Sequence, residues 1–411
     1  MTLPNFDEKL DKYAKLITQN GVNVQPGQTI ILYISVNQLK LARKIVDQAY
    51  QLGANEVVVE WNDSEITKGF LNHASEDRLQ NQPAYVSQKA DQLMEKKASR
   101  ISVLSGAPDE LKDVDSKRLS MYQKSLGEAW KSVRKSTQNN DISWLVVGAA
   151  DQEWAKKVFP DLSSEAAEDK LWEEIFKTTR VDQDDPELAW DKQISTLNEK
   201  ADWLNKHQFK ALKYKSAKTD ITIGLPKNHL WEAAGTNDIS GNFFVPNMPT
   251  EEVFTSADNR NINGVISSTL PLSYSGSLIE GIQLTFKDGK IIDSKADTGE
   301  EILKDLIETD AGTHSLGEIS LVPQKSPIAE SGIIFYNTLF DENASDHVAI
   351  GAAYPFNIQG GTKMSDEELG EHGMNVSQTH VDFMVGSDDM NIDGILEDGS
   401  AVPVMRNGNW A

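Results

Sequence analysis

The stretch Thr29-Ile-Ile-Leu-Tyr-Ile-Ser35 decides the fold of the first half of the chain. It is a short, almost wholly apolar run rich in β-branched residues, which is typical of a strand buried on both faces. A helical pattern that ends near Gly53 follows it, and then a second such run, Glu56-Val-Val-Val-Glu-Trp61. A strand, a helix and a strand in this order form a βαβ unit. The sequence therefore predicts an α/β domain with a parallel sheet covered by helices.

Two further apolar runs extend the predicted sheet, Arg100-Ile-Ser-Val-Leu-Ser105 and Ile142-Ser-Trp-Leu-Val-Val147. Helical patterns flank them at about residues 7–19, 84–97, 115–135 and 163–178. The turn after the first strand, Val36-Asn37-Gln38, contains no glycine, and the Gly-x-x-x-x-Gly-Lys-Ser/Thr pattern is absent from the sequence. The chemistry of a phosphate-binding loop is therefore missing. We expect this half to be a scaffold.

The second half of the chain has a different pattern of apolar and polar residues. Residues 181–217 are charged and helical in pattern, and we interpret them as a connection between domains. From Thr219 onward the sequence contains many short stretches with a strand pattern, and Asp288-Gly289 and Asp398-Gly399 are predicted hairpin turns. One clear helix is predicted at about 299–309. This pattern predicts an α+β domain built on a mostly antiparallel sheet. We expect an α/β scaffold domain over residues 1–210 and a metal-binding catalytic domain over 211–411.

Length and charge limit the possible functions. A chain of 411 residues exceeds what one hydrophobic core usually serves. The 63 acidic against 40 basic residues give a net charge of −23. Such a field repels phosphate backbones, so we expect no nucleic-acid partner. It is compatible with cationic ligands such as metal ions or the α-ammonium group of a peptide, although acidity also serves solubility alone.

The compartment is constrained by what the sequence lacks. It contains no cysteine, which excludes disulfides, thiolate metal sites and cysteine nucleophiles, and which fits a reducing cytoplasm. No run approaches the roughly 18 apolar residues of a membrane-spanning helix. The first residues carry neither the basic nor the apolar region of a signal peptide. We therefore expect a cytoplasmic protein without a membrane partner.

A candidate metal site begins at Thr379-His-Val-Asp-Phe-Met-Val385. Its alternating pattern predicts a strand, in which side chains at i and i+2 leave the same face. His380 and Asp382 then point to one spot, and an imidazole beside a carboxylate offers two ligands for a divalent ion. An isolated pair of this kind is more often a solvated polar face.

Three other segments of the second half supply further ligands. Glu251 and Glu252 stand at the start of a short strand, where only one of them can face a given site. Glu318 begins the strand pattern 316–322, and His347 lies in the segment 343–351. Histidine with carboxylate suits zinc, cobalt or manganese. Five ligands exceed what one catalytic zinc ion takes from protein and suit a two-metal site. Sequence spacing cannot show that these segments converge.

Six segments of the chain resemble the aminopeptidase T family of thermophilic-type metallo-aminopeptidases, which includes aminopeptidase S of Gram-positive bacteria. The resemblance spans the whole chain and is densest from about residue 219 to the end. The segments that carry it are Asn247-Met-Pro-Thr-Glu-Glu-Val-Phe-Thr255, Ser273-Tyr-Ser-Gly-Ser-Leu-Ile-Glu-Gly281, His314-Ser-Leu-Gly-Glu318, Ser345-Asp-His-Val-Ala-Ile-Gly351, Thr379-His-Val-Asp-Phe-Met-Val-Gly386 and Pro403-Val-Met-Arg-Asn-Gly408.

The resemblance implies a cytoplasmic, homodimeric enzyme that releases N-terminal residues from peptides with a free N-terminus. It implies two divalent ions per chain, with zinc or cobalt ahead of manganese or magnesium. It also selects Glu252 over Glu251, because Glu252 directly precedes Val-Phe-Thr. The implied metal ligands are Glu252, Glu318, His347, Tyr354, His380 and Asp382.

The expected chemistry is hydrolysis by a water of lowered pKa held between two metal ions. Glu318 is the candidate acceptor of the proton of that water. Tyr354 is a candidate ligand or donor to the tetrahedral oxyanion, or else a half-buried aromatic residue beside Pro355.

Two other functions are alternatives to that of a metallo-aminopeptidase. A divalent-metal or peptide-binding protein without catalysis would share the ligands. A serine hydrolase is the weaker rival, because the sequence has no Gly-x-Ser-x-Gly elbow after a strand.

Overall fold

The computed structural model describes residues 3–274 and 277–411. Ser275 and Gly276, in the middle of the motif 273–281, lie outside the described residues, as do Met1 and Thr2. The chain divides into two compact units. The first comprises Met1–Asp191 with Gly235–Pro249, and the second comprises Lys192–Ala234 with Thr250–Ala411. The expected division into an α/β scaffold domain over residues 1–210 and a metal-binding catalytic domain over 211–411 stays a prediction.

Helices dominate the first half of the chain and strands the second. The helices are α1 (Phe6–Leu16), α2 (Leu39–Gln51), α3 (Ser64–His73), α4 (Glu76–Gln80), α5 (Ala84–Glu95), α6 (Ser116–Ala129), α7 (Lys131–Gln138), α8 (Gln152–Val158), α9 (Ser164–Thr178), α10 (Pro186–His207), α11 (Glu300–Ile307), α12 (Pro327–Ser331), α13 (Thr338–Asp341) and α14 (Asp366–Glu371). A π-helical turn spans Ile17–Gly21, and 3₁₀ turns span Val36–Gln38, Glu342–Ala344, Pro355–Asn357 and Gly361–Lys363. Among the described residues, no helix is long and apolar enough to cross a membrane.

The strands form both parallel and antiparallel sheets. They are β1 (Thr29–Ser35), β2 (Glu56–Asn62), β3 (Ser99–Leu104), β4 (Trp144–Gly148), β5 (Ala211–Lys215), β6 (Asp220–Gly224), β7 (Thr236–Asn237), β8 (Phe243–Phe244), β9 (Asn247–Met248), β10 (Val253–Ser256), β11 (Ile262–Ser267), β12 (Leu272–Tyr274), β13 (Ser277–Ile279), β14 (Gln283–Lys287), β15 (Lys290–Lys295), β16 (Leu316–Leu321), β17 (His347–Gly351), β18 (His380–Met384), β19 (Asn391–Ile395), β20 (Ala401–Arg406) and β21 (Asn409–Trp410).

The first unit is built on a parallel sheet with the order β2-β1-β3-β4-β9. Strand β1 has the bounds that its apolar run predicts, and its interior residues Ile30–Leu32 are fully buried. Helix α2 covers the sheet with an apolar stripe that includes Leu41 and Ile45. The predicted α/β fold is confirmed. Strand β9 was not predicted, because its two residues carry no periodic signal.

The connection between the units differs from its prediction. The charged region 181–217 was expected to be helical throughout, but α10 ends at His207 and β5 follows. In β5, Leu212 and Tyr214 are buried while Lys213 and Lys215 are exposed. This alternation has the period of a strand. The lysines obscured it, because lysine is also a good helix former.

The second unit contains an eight-stranded sheet with the order β15-β14-β11-β6-β5-β19-β20-β21. Its neighbouring strands all pair antiparallel, and the Asp288-Gly289 turn joins β14 to β15 as predicted. A second antiparallel sheet has the order β10-β16-β17-β18. One face of this smaller sheet, with Val253, Ile319, Val348 and Phe383, belongs to the hydrophobic core. The opposite face carries the candidate site.

Candidate metal centre

The register of the smaller sheet brings separate segments of the chain together. Glu318 of β16 lies opposite Ala349 of β17, which in turn lies opposite Asp382 of β18. Directly opposed residues of antiparallel strands project from the same face. In the next rows Ser320 faces His347, and Gly351 faces His380. The predicted ligands Glu318, His347, His380 and Asp382 therefore share one face of the sheet.

The fifth predicted ligand, Glu252, directly precedes β10. A carboxylate oxygen of Glu252, Oε2, lies 3.2 Å from Nε2 of His347 and accepts a hydrogen bond of 2.7 Å from Oγ of Ser320. The neighbouring Glu251 accepts a hydrogen bond of 2.8 Å from Nε2 of Gln193 and belongs to neither ligand cluster. The two adjacent glutamates thus diverge, and Glu252 is the one that faces the histidine.

The five side chains form two clusters that share one carboxylate. Glu252, Glu318 and His347 form the first cluster, and Glu318, His380 and Asp382 form the second. In each cluster the ligand atoms lie within 4.8 Å of one another. Oε1 of Glu318 is 3.7 Å from Nε2 of His347, whereas its Oε2 is 3.6 Å from Nε2 of His380. Each oxygen of Glu318 therefore faces a different imidazole.

Backbone carbonyls orient both imidazoles. Nδ1 of His380 lies 2.8 Å from the carbonyl oxygen of Ala352, and Nδ1 of His347 lies 3.1 Å from that of Ser345. Since a carbonyl only accepts, each Nδ1 carries the proton in these contacts. Nε2 of each ring is thus the nitrogen turned toward the carboxylates. This arrangement fixes the tautomer that ligates a metal through Nε2.

The electrostatics of the site favour bound positive charge. Burial opposes the charged form of His380, but the Asp382 carboxylate, 3.3 Å from Nε2, overrides this effect and the pKa of His380 rises to about 10. Burial likewise opposes the charge on His347, yet hydrogen bonds to Glu252 and Glu318 raise its pKa well above the ordinary value. Burial raises the pKa of Glu318. In the metal-free chain, protons on the imidazoles supply the positive charge that the carboxylates demand.

The residues present fit a divalent metal ion. Oδ1 of Asp382 is buried and accepts no hydrogen bond of good geometry among the described residues, and its cationic neighbour is Nε2 of His380 at 3.3 Å. A buried carboxylate oxygen with so little hydrogen bonding is costly unless a cation satisfies it. Imidazole and carboxylate together are the donor set of zinc, cobalt and manganese sites. Both clusters therefore have the chemistry to hold a metal ion.

Tyr354 borders the site beside His380. It precedes the 3₁₀ turn at Pro355–Asn357, and its ring centroid lies 4.9 Å from that of His380. Burial and then the charge of Glu318 raise the pKa of Tyr354 well above its ordinary value. The phenol therefore stays protonated and can donate a hydrogen bond.

Sequence reasoning missed Glu342, a carboxylate at the start of a 3₁₀ turn. Its side chain forms no hydrogen bond or ion pair with another described residue, and burial followed by the charges of Asp382 and Glu252 raises its pKa well above the ordinary value. In the sequence, Glu342 is marked only by its position five residues before His347, which is a weak indication of a functional role.

Comparisons with known proteins identify the family of the chain. The thermophilic metalloprotease (M29) family matches residues 6–410. Aminopeptidase PepS of Streptococcus thermophilus is 53% identical over 411 residues, covering 100% of both chains. Aminopeptidase AmpS of Bacillus subtilis is 50% identical over 409 residues, covering 100% of both chains.

A solved structure shows the same fold. The structure of wild-type AmpT from Thermus thermophilus superposes with a TM-score of 0.93 at 36% identity, over 99% of this chain and 100% of that one. The family match spans nearly the whole sequence, and the relatives are named aminopeptidases. The chain belongs to the thermophilic metalloprotease (M29) family and is a metallo-aminopeptidase, a peptide hydrolase.

Proposed function

We propose that the enzyme releases N-terminal residues from peptides with water activated between two divalent ions. The observation that carries this proposal is the position of Glu318, whose two oxygens belong to two different ligand clusters. If each cluster holds one ion, Glu318 would be a ligand shared by both of them. Glu252 and His347 would complete one ion's protein ligands, and His380 and Asp382 the other's.

The chain's residues have separate roles in this chemistry. Two bound ions would lower the pKa of a water between them and polarise the scissile carbonyl. Glu318 is the first candidate for the group that accepts the proton of the attacking water. Tyr354, protonated beside His380, donates a hydrogen bond to the developing oxyanion or serves as a further ligand. The surrounding carboxylates attract the α-amine of the peptide, which explains action at a free N-terminus.

A second residue, Glu342, is also a candidate for the general base. Both oxygens of Glu318 already face imidazoles, which favours a ligand role for this residue. Glu342 lies among the same carboxylates and forms no side-chain hydrogen bond with the described residues, so it is the second candidate for proton acceptor. The variants Glu318→Gln and Glu342→Gln decide between them.

The metal and the assembly are further parts of the proposal. The imidazole and carboxylate donors favour zinc or cobalt, with manganese or magnesium as alternatives. We also carry over from the family resemblance a cytoplasmic homodimer. Sedimentation velocity tests the dimer. The net charge of −23 opposes a nucleic-acid partner.

A metal-depletion experiment tests the central claim. Purified protein is stripped with a chelator, and hydrolysis of leucine p-nitroanilide is measured before and after zinc or cobalt is restored. We expect no turnover in the stripped protein, recovery on addition of metal, and close to two ions per chain in the recovered protein. N-acetylated leucine p-nitroanilide should be inert. Full activity without metal would overturn the proposal.

The same experiment examines the non-catalytic alternative. A protein that only binds metal or peptide would take up ions without hydrolysing any aminoacyl substrate. The aminopeptidase names of the relatives argue against this alternative.

A further inference from the structure

Three aromatic rings stand beside the metal ligands. The rings of Tyr354 and Phe356 are stacked, with centroids 5.2 Å apart and planes 11° from parallel. Phe254 meets both of them edge-on, at 6.3 Å from Tyr354 and 6.2 Å from Phe356. We call these three residues the aromatic wall. The wall is continuous with the site, because the ring of Tyr354 also contacts that of His380 at 4.9 Å.

The sheet register puts the wall on the ligand face. Phe254 of β10 lies directly opposite Ser320 of β16, and Ser320 lies opposite His347 of β17. Opposed residues share a face, so the Phe254 side chain projects to the same side as His347 and Glu318. Its chain neighbours Val253 and Thr255 are buried on the other side.

The wall is not part of the hydrophobic core. Phe254, Tyr354 and Phe356 are each half-buried. A different stacked pair, Phe335 and Phe340 at 4.9 Å, is fully buried and serves packing. Aromatic rings left partly open beside polar catalytic groups are the usual lining of a ligand site, where apolar surface binds and a few polar groups orient.

The way in which a peptide must bind for aminopeptidase action indicates which part of it meets the aromatic wall. The scissile carbonyl and the α-amine of the first residue must both lie at the ligand clusters, and the first side chain branches from the carbon between them. That side chain has to leave the metal centre toward a neighbouring surface. The aromatic wall begins one ring contact from His380.

We propose that the aromatic wall is the subsite for the substrate's N-terminal side chain and that Phe254 and Phe356 determine a preference for large apolar, above all planar, side chains. This inference rests on the proposed hydrolysis at the metal centre. A planar side chain can stack on or meet these rings edge-on, whereas the methyl group of alanine offers little surface for such a contact.

Substitutions of the two phenylalanines test the proposal. We expect Phe356→Ala and Phe254→Ala to lower kcat/KM for phenylalanine p-nitroanilide by about 10-fold or more relative to alanine p-nitroanilide, the scale of hydrophobic-pocket discrimination. Phe356→Tyr keeps the ring and should keep the preference. Phe243→Ala removes a 38% exposed ring of the first unit and serves as the matched control.

Two further measurements separate specificity from stability and from turnover. Metal content should remain unchanged in the wall variants, because neither phenylalanine is a ligand. Calorimetry with phenylalaninol and alaninol, which cannot be hydrolysed, should show the same loss of preference. An unchanged ratio between the two substrates, or equal losses for both accompanied by metal loss, would overturn the assignment. Failure of metal-dependent hydrolysis with intact phenylalaninol binding would instead count against the proposed function alone.

Discussion

Ala349 lies directly opposite Glu318 in the four-stranded sheet. On its other side the same residue faces Asp382, so a methyl group stands between two proposed ligands. Its neighbours in β17, Val348 and Ile350, are in the core, whereas Ala349 faces the site. A small side chain here leaves the space above the sheet open to the carboxylates and to what they bind.

We predict that Ala349→Leu closes this space and lowers metal content below one ion per chain. Overpacking costs about 1–3 kcal/mol of stability, and we expect the second unit to remain folded. The larger side chain should push the ligands apart. Ala349→Ser, of nearly the same size, is the control and should retain metal. Elemental analysis after reconstitution with metal measures the metal content of both variants, and circular dichroism verifies that they are folded. Normal metal content in the leucine variant would show that the ions do not lie above Ala349.

Loss of a ligand should be specific to the second unit. His380→Ala removes an imidazole that faces two carboxylates, at 3.3 and 3.6 Å. We expect the metal content to fall by at least half and activity to fall with it. His73→Ala and Glu56→Ala alter an exposed histidine and an exposed ion pair of the first unit and should change neither quantity. Equal metal loss in all three variants would refute the location of the site.

The pair Glu318→Gln and Glu342→Gln should identify the proton acceptor. General-base catalysis is worth about 10²–10⁴ in rate, so the variant that lacks the base should lose at least ~100-fold in kcat. If Glu318 is the base, Glu318→Gln remains slow in excess metal. Full recovery of Glu318→Gln in excess zinc or cobalt would make it a ligand alone.

A large kcat loss in Glu342→Gln, with unchanged metal content, would transfer the role to Glu342. Metal content and kcat must therefore be measured on the same preparations. Exposed Glu397→Gln is a control for the loss of one negative charge.

Stability should depend on pH through Glu232. This residue pairs with Phe254 through two backbone hydrogen bonds, of 2.9 and 3.0 Å. Burial raises the pKa of its carboxyl to about 7 from an ordinary 4.5. The folded state therefore holds the proton more tightly than the unfolded state. As the pH rises from 4.5 to 7, ionisation of Glu232 progressively lowers the free energy of unfolding relative to its value in acidic solution. This loss of stability is complete above about pH 7.

Glu232→Gln removes this penalty. We expect it to raise the free energy of unfolding at pH 8 by about 1–3 kcal/mol and to have little effect near pH 4.5. Urea unfolding at both pH values measures the difference. The exposed Glu397→Gln should show no such pH-dependent gain. A gain of equal size at both pH values would mean that Glu232 acts by packing and not by its charge.

Local patterns in the sequence determined much of this protein. The bounds of β1 follow from one apolar run, and the β14–β15 hairpin follows from Asp288-Gly289. The approach of His380 to Asp382 follows from the two-residue period of a strand, which acts within one segment. Each of these features depends on residues that are close in sequence, so the chain carries the whole signal locally.

Tertiary structure alone decided how the segments meet. The neighbours of Glu318 are set by hydrogen-bond register among β16, β17 and β18, and a shift by one residue would turn its side chain into the core. The same register decided that Glu252 faces His347, that Ala349 leaves room between carboxylates, and that Phe254 stands beside the ligands. Register between distant strands depends on which apolar faces pack together across the whole unit. That packing is a sum over many contacts far apart in sequence, and no single segment records it.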